Sequence, residues 1–140
     1  MSNGFLLGVA LEVLGAAIRM ACFRALGVHF TYNLSIRDGH KLVRSGPYAI
    51  VRHPAYVGSM CAGAGITFVE LSAGSWWREA RVMDTRVGQT IAVVWGLLLL
   101  FSITVLARAP QEDAMLRARF GEEWEAYARE VRWWFVPGLI

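Results

Sequence analysis

Two stretches of this sequence hold side chains able to do chemistry. The first reads Arg44-Ser45-Gly46-Pro47-Tyr48-Ala49-Ile50-Val51-Arg52-His53-Pro54-Ala55-Tyr56-Val57-Gly58. Gly46, Pro47 and Pro54 make it a turn-rich connection, and Pro54 confines His53 to extended geometry. Tyr48, His53 and Tyr56 are able to bind a polar, planar ligand. On the residues alone the stretch reads first as a membrane-entry loop with interfacial aromatics and arginines, and the ligand-binding reading stays open beside it. The second stretch begins at Arg108, where an apolar block ends, and brings Glu112 one helical turn later.

Other chemistries find no support. The three histidines, His29, His40 and His53, are spaced 11 and 13 apart and match no HExxH or paired pattern, so no metal site is expected. There is no GxSxG elbow for a serine hydrolase, no GxGxxG after a strand, and no GxxxxGK[ST] loop. Cys22 and Cys61 sit inside apolar blocks without CxxC spacing and read as buried thiols. A formal charge of +3, spread evenly over 14 basic and 11 acidic residues, does not suggest nucleic-acid binding.

The elements that must position these groups are apolar blocks. Of 140 residues, 56% are hydrophobic and 18% charged, and the mean hydropathy is +0.41. A soluble domain carries about a quarter charged residues. The blocks predict membrane spans near 4–26, 56–71 and 87–107, joined by a loop over 27–55 and closed by a tail over 108–140. In the first span Gly4, Gly8, Glu12, Gly15 and Arg19 share one helical face, which should point into protein, with Glu12 protonated or paired with Arg19. The second span is short and rich in small residues, suited to close helix–helix contact. Trp76 and Trp77 read as an interfacial anchor. In the tail, Leu116, Phe120, Trp124, Tyr127 and Val131 recur at helical spacing and predict an amphipathic helix bent at Gly121, followed by Trp133-Trp134-Phe135 at the membrane interface. Five Lys/Arg residues in 24–55 and five in the tail, against three in 72–86, place loop and tail on the cytosolic side. The N-terminus lacks a basic stretch and a cleavage site, so no removable signal is expected.

Gly46 to Gly58 follows the pattern GPY(x)3RHPxYxG, preceded by His40-Lys41-Leu42-Val43. The tail follows Arg108-(x)3-Glu112-Asp113-(x)2-Leu116-(x)3-Phe120-Gly121-(x)2-Trp124-(x)2-Tyr127 and closes with Val136-Pro137-Gly138. Both halves together resemble the isoprenylcysteine carboxyl methyltransferase family. With the three spans read from the apolar blocks, the resemblance implies an all-α, multi-pass transmembrane helical bundle, one methyltransferase domain over 1–140, whose cytosolic loop and C-terminal helix form a cofactor site. It implies S-adenosylmethionine as cofactor and methylation of the C-terminal carboxylate of a farnesyl- or geranylgeranyl-cysteine protein, at the endoplasmic reticulum membrane with the site facing the cytosol. Carried over by position, cofactor-binding residues are His40, Lys41, Leu42, Val43, Tyr48, His53, Pro54, Ala55, Tyr56 and Glu112, with Asn33 in the variable loop. Arg108 holds the substrate carboxylate. Alternatives are a methyltransferase for a phospholipid or other small isoprenoid, a truncated non-catalytic interaction protein, and an NADPH-dependent reductase of the related membrane fold. Members usually have five or more spans, so the chain is expected to be compact or N-terminally shortened, its lipid channel either incomplete or completed by a homodimer through the Gly4/Gly8 face. Trp124 stands where the family usually has Tyr.

Overall fold

A computed structural model of the chain describes residues 2–29, 39 and 41–139. Asn33 and His40 lie outside the described residues. Among the described residues all regular structure is helical, and three helical stretches are long and apolar enough to cross a membrane. The six α-helices are α1 (Asn3–Leu26), α2 (Pro54–Leu71), α3 (Trp76–Glu79), α4 (Arg86–Leu106), α5 (Ala109–Phe120) and α6 (Glu122–Glu130). The expected spans therefore match α1, α2 and α4 within two residues at every end.

The chain divides into two compact units, one of Met1–Ala16 with Gly58–Val105 and one of Ala17–Val57 with Leu106–Ile140. In the first, the glycine face of α1 lies on α2 with almost no side chain between them. A Cβ on Gly8 would stand 2.7 Å from the Val69 amide nitrogen, and one on Gly15 would stand 2.5 Å from the Gly58 carbonyl oxygen. The Glu12 stem meets Gly65 at the same close range. Lipid supplies no hydrophobic drive between helices, so close backbone approach of this kind is what holds such a pair. It also corrects one expectation: the Gly4/Gly8 face is covered by α2 of its own chain and is not open to a second copy.

α4 belongs to the same unit. Its Trp95 indole N–H donates to the Thr67 hydroxyl at 3.1 Å, and Thr67 in turn donates to the Gly63 carbonyl at 2.8 Å. The most apolar stretch of α4 has no fully buried residue within the chain, and Val94, Leu98 and Phe101 are exposed. A run of that kind is costly in water and ordinary in hydrocarbon. Between α2 and α4, α3 is capped by the Ser75 hydroxyl accepting from the Arg78 amide at 3.2 Å, and Trp76 is 74% exposed, as an interfacial anchor would be.

In the second unit the tail helix expected to bend at Gly121 is broken there into two helices. Gly121 adopts φ +52°, ψ −119°, a conformation only glycine takes without strain, and the helix stops and restarts there. The break turns α6 so that Trp124, Tyr127 and Val131 bury together against Leu42, Leu116, Phe120 and Ala128. The apolar stripe is thus a small protein core. Trp134 and Phe135 pack against the His53 ring, leaving Trp133 as the more exposed of the three.

Candidate active site

The last residues before α2 are pinned by the tail through the backbone. The Arg52 amide donates to the Trp133 carbonyl at 2.9 Å and the His53 amide to the Trp134 carbonyl at 2.8 Å. Pro54 opens α2 because its missing N–H is no loss in a first turn. Tyr56 then falls within the first turn of α2. On the other side Pro110 starts α5, and the Glu112 amide bonds the Arg108 carbonyl at 2.9 Å, so Arg108 and Glu112 stand one turn apart.

These elements bring His53, Tyr56 and Glu112 together. The Tyr56 hydroxyl donates to Glu112 Oε1, and His53 Nδ1 lies 3.4 Å from Glu112 Oε2. His53 Nε2 lies 3.1 Å from Asp113 Oδ1, and Asp113 Oδ2 accepts from Arg52 Nη1 at 2.6 Å. The imidazole is only 6% exposed, and burial by itself pulls its pKa down; hydrogen bonds and charge from Asp113 and Glu112 outweigh that and raise it above the ordinary histidine value. Arg108 is half-buried near Tyr56, and among the described residues no carboxylate pairs with its guanidinium.

The remaining expected residues are placed differently. Lys41 is exposed, Val43 is half-buried, and Leu42 packs into the Trp124–Tyr127–Val131 core. Tyr48 turns its phenol toward Cys22 and gives its carbonyl to the Tyr127 hydroxyl at 2.8 Å. Burial pushes the Tyr48 phenol pKa far up, and that of Tyr127 up to about 12, so both are neutral hydrogen-bonding groups. Pro54 is buried and Ala55 half-buried at the start of α2, beside the cluster through chain continuity.

Arg52 and Asp113 were not assigned roles from the sequence, although both lie inside the motifs. The available signal was adjacency: Arg52-His53 and Glu112-Asp113 each put two chargeable groups side by side. An open groove of about 450 Å³ runs along α5, lined by Arg52, Asp113, Arg117, Trp124 and Trp134. None of the expected cofactor residues lines it, so it is distinct from the His53–Tyr56–Glu112 cluster. No group of metal-ligating side chains occurs among the described residues.

Comparisons with known proteins agree with the motifs. The isoprenylcysteine carboxyl methyltransferase family matches residues 8–78. A probable protein-S-isoprenylcysteine O-methyltransferase of Oryza sativa subsp. indica is 31% identical over 126 residues, covering 89% of this chain and 56% of the relative. Protein-S-isoprenylcysteine O-methyltransferase B of Arabidopsis thaliana is also 31% identical, covering 89% and 55%. A delta(14)-sterol reductase of Neurospora crassa is 34% identical over 126 residues, covering 79% of this chain and 26% of the reductase. The chain thus spans about half the length of the plant methyltransferases and about a quarter of the reductase. No solved structure matches. With the family match extending over just over half of the chain, and RHPxYxG folded against the Glu112 segment, this protein belongs to the isoprenylcysteine carboxyl methyltransferase family.

Proposed function

We propose that the protein is an integral-membrane methyltransferase that methylates the C-terminal carboxylate of a prenylated cysteine with S-adenosylmethionine. The observation that carries this reading is an unpaired cation beside an organised acceptor. Arg108 has no acidic partner among the described residues, one turn from Glu112, which His53 and Tyr56 hold. That donor set fits both ligands: a guanidinium for a carboxylate, and a carboxylate flanked by aromatic rings for hydroxyl and amino donors.

S-adenosylmethionine, when bound, supplies an electrophilic methyl group on a sulfonium. The acceptor needs no base, because a C-terminal carboxylate has a pKa of about 3.5 and is ionised at pH 7. Arg108 binds and orients it, and a bidentate guanidinium fixes both oxygens of a planar carboxylate. Glu112 accepts from the polar edge of the cofactor, with Tyr56 and His53 holding its oxygens in place. Tyr48, Leu42, Val43, Pro54 and Ala55 support the surrounding shell, and Trp134 with Phe135 excludes water from His53. The balance of Lys and Arg supports a cytosol-facing site, and the family supports the endoplasmic reticulum as its membrane.

The sterol reductase relative gives a second reading, reduction with NADPH. Calorimetric titration of S-adenosylmethionine and NADPH into the detergent-purified protein, followed by radiolabelled methyl transfer to a farnesylcysteine analogue, separates the two. Binding of the first ligand with label transfer is expected. Binding of NADPH alone would replace the proposal with the reductase reading.

A further inference from the structure

Both nitrogens of His53 face carboxylates, Nε2 toward Asp113 and Nδ1 toward Glu112. A neutral imidazole has one N–H and one lone pair, so it would turn that lone pair on one of the two carboxylates. The doubly protonated ring donates to both. With Arg52 it forms a balanced quartet, two cations against Glu112 and Asp113. The other groups around the ring leave that balance intact: the Tyr56 hydroxyl from α2 is neutral, Trp134 and Phe135 from the tail carry no charge, and Arg108 lies on the Tyr56 side.

Asp113 is itself fixed. One oxygen is taken by His53 and the other by Arg52, whose second amino group donates to the Arg132 carbonyl at 3.1 Å. The Arg52 guanidinium sits 5.1 Å from the centre of the Trp134 ring. An unbroken set of contacts therefore runs from the tail backbone through Arg52, Asp113 and His53 to Glu112.

We propose that Asp113, held by Arg52, is a positioning residue that keeps His53 as a two-sided donor, so that the ring braces Glu112 in the orientation that receives the methyl donor. Asp113 touches neither ligand in the proposed site and acts through His53, as the buried carboxylate of a catalytic triad acts through its histidine. This inference rests on the functional reading above for what Glu112 receives. The clamp itself rests on the geometry.

The test uses the full chain in detergent with ¹⁵N-labelled histidine, the His53 signals being identified by their loss in His53→Gln. In the wild type the His53 ring nitrogens are expected to show the imidazolium pattern at pH 7 and to lose it only at higher pH. In Asp113→Asn the midpoint falls and S-adenosylmethionine binding at pH 7 weakens about tenfold, the loss of one charged hydrogen bond. Asp113→Glu, which keeps the charge, restores part of both. A neutral wild-type His53 ring at pH 7, or an Asp113→Asn midpoint equal to the wild type, would overturn the clamp. The wild-type titration decides the matter even if Asp113→Asn fails to fold. A neutral ring in a protein that binds S-adenosylmethionine sinks the clamp and leaves the functional reading standing. An imidazolium ring in a protein that binds none does the reverse.

Discussion

At the level of single side chains, the proposed site assigns cofactor binding to Glu112 and substrate binding to Arg108, and substitutions should separate the two. Arg108→Ala should leave S-adenosylmethionine affinity unchanged and cut methyl transfer by about a hundredfold, the order expected for losing a charged anchor worth roughly 3 kcal/mol. Label transfer under saturating cofactor measures it, and normal turnover would remove Arg108 from the substrate site. Glu112→Ala should abolish cofactor binding by calorimetry, and an unchanged affinity would exclude Glu112 from the cofactor site. His53 predicts a pH dependence of stability. Its folded pKa is raised, so the stability it contributes is full below the unfolded value of about 6.5 and is lost as pH rises through the folded value. The melting temperature of the wild type should fall over that window relative to His53→Gln, and parallel curves for the two proteins would contradict the pairing. Of this cluster, His53, Tyr56, Glu112 and Arg108 were legible because the motifs carry them at fixed spacing. Asp113 and Arg52 were not, since pairing across the 61 positions between them is set by how α5 meets the loop, and periodicity says nothing about that.

At the scale of elements, the spans were legible and their faces partly so. Long, predominantly apolar runs can hide from water only in lipid or protein, which fixes where α1, α2 and α4 lie along the chain. The glycine spacing on α1 also announced a contact face. It did not announce the partner, because a small-residue face fits another copy and a neighbouring helix equally well. Gly15→Val should destabilise the protein by about 1–3 kcal/mol, the usual cost of overpacking, since even its Cβ would meet backbone atoms of α2. Val13→Leu, on an exposed position of the same helix, should leave the melting temperature unchanged. Equal melting temperatures for wild type and Gly15→Val would mean that α1 and α2 do not pack as described. The tail shows where pattern reading stops. Helical spacing continues through Gly121, and the bend expected there is in the structure a full break between two helices folded around a core that the loop residue Leu42 helps to fill.

For the whole molecule, the same motifs occur in a chain related both to methyltransferases and to sterol reductases, so fold alone does not select the chemistry. The pH profile of transfer distinguishes the acceptor. A carboxylate acceptor stays ionised across the working range, and the rate should decline as His53 loses its proton. An amine acceptor must first be deprotonated, so its rate should climb over the same interval. A climbing profile would shift the substrate assignment to a phospholipid amine while keeping the methyl donor.

The backbone bonds from Arg52 and His53 to Trp133 and Trp134 have a consequence for how the protein is made. The two segments of that junction are separated by about 80 residues of chain, so during synthesis the loop exists long before its partner. Helices α1 and α2 can enter the membrane while the junction around Arg52 and His53 is still unformed, and it closes only when the aromatic tail emerges from the ribosome. A nascent chain arrested before Trp133 would carry α1 and α2 yet lack the tail residues that pin Arg52 and His53, so that junction forms late in synthesis.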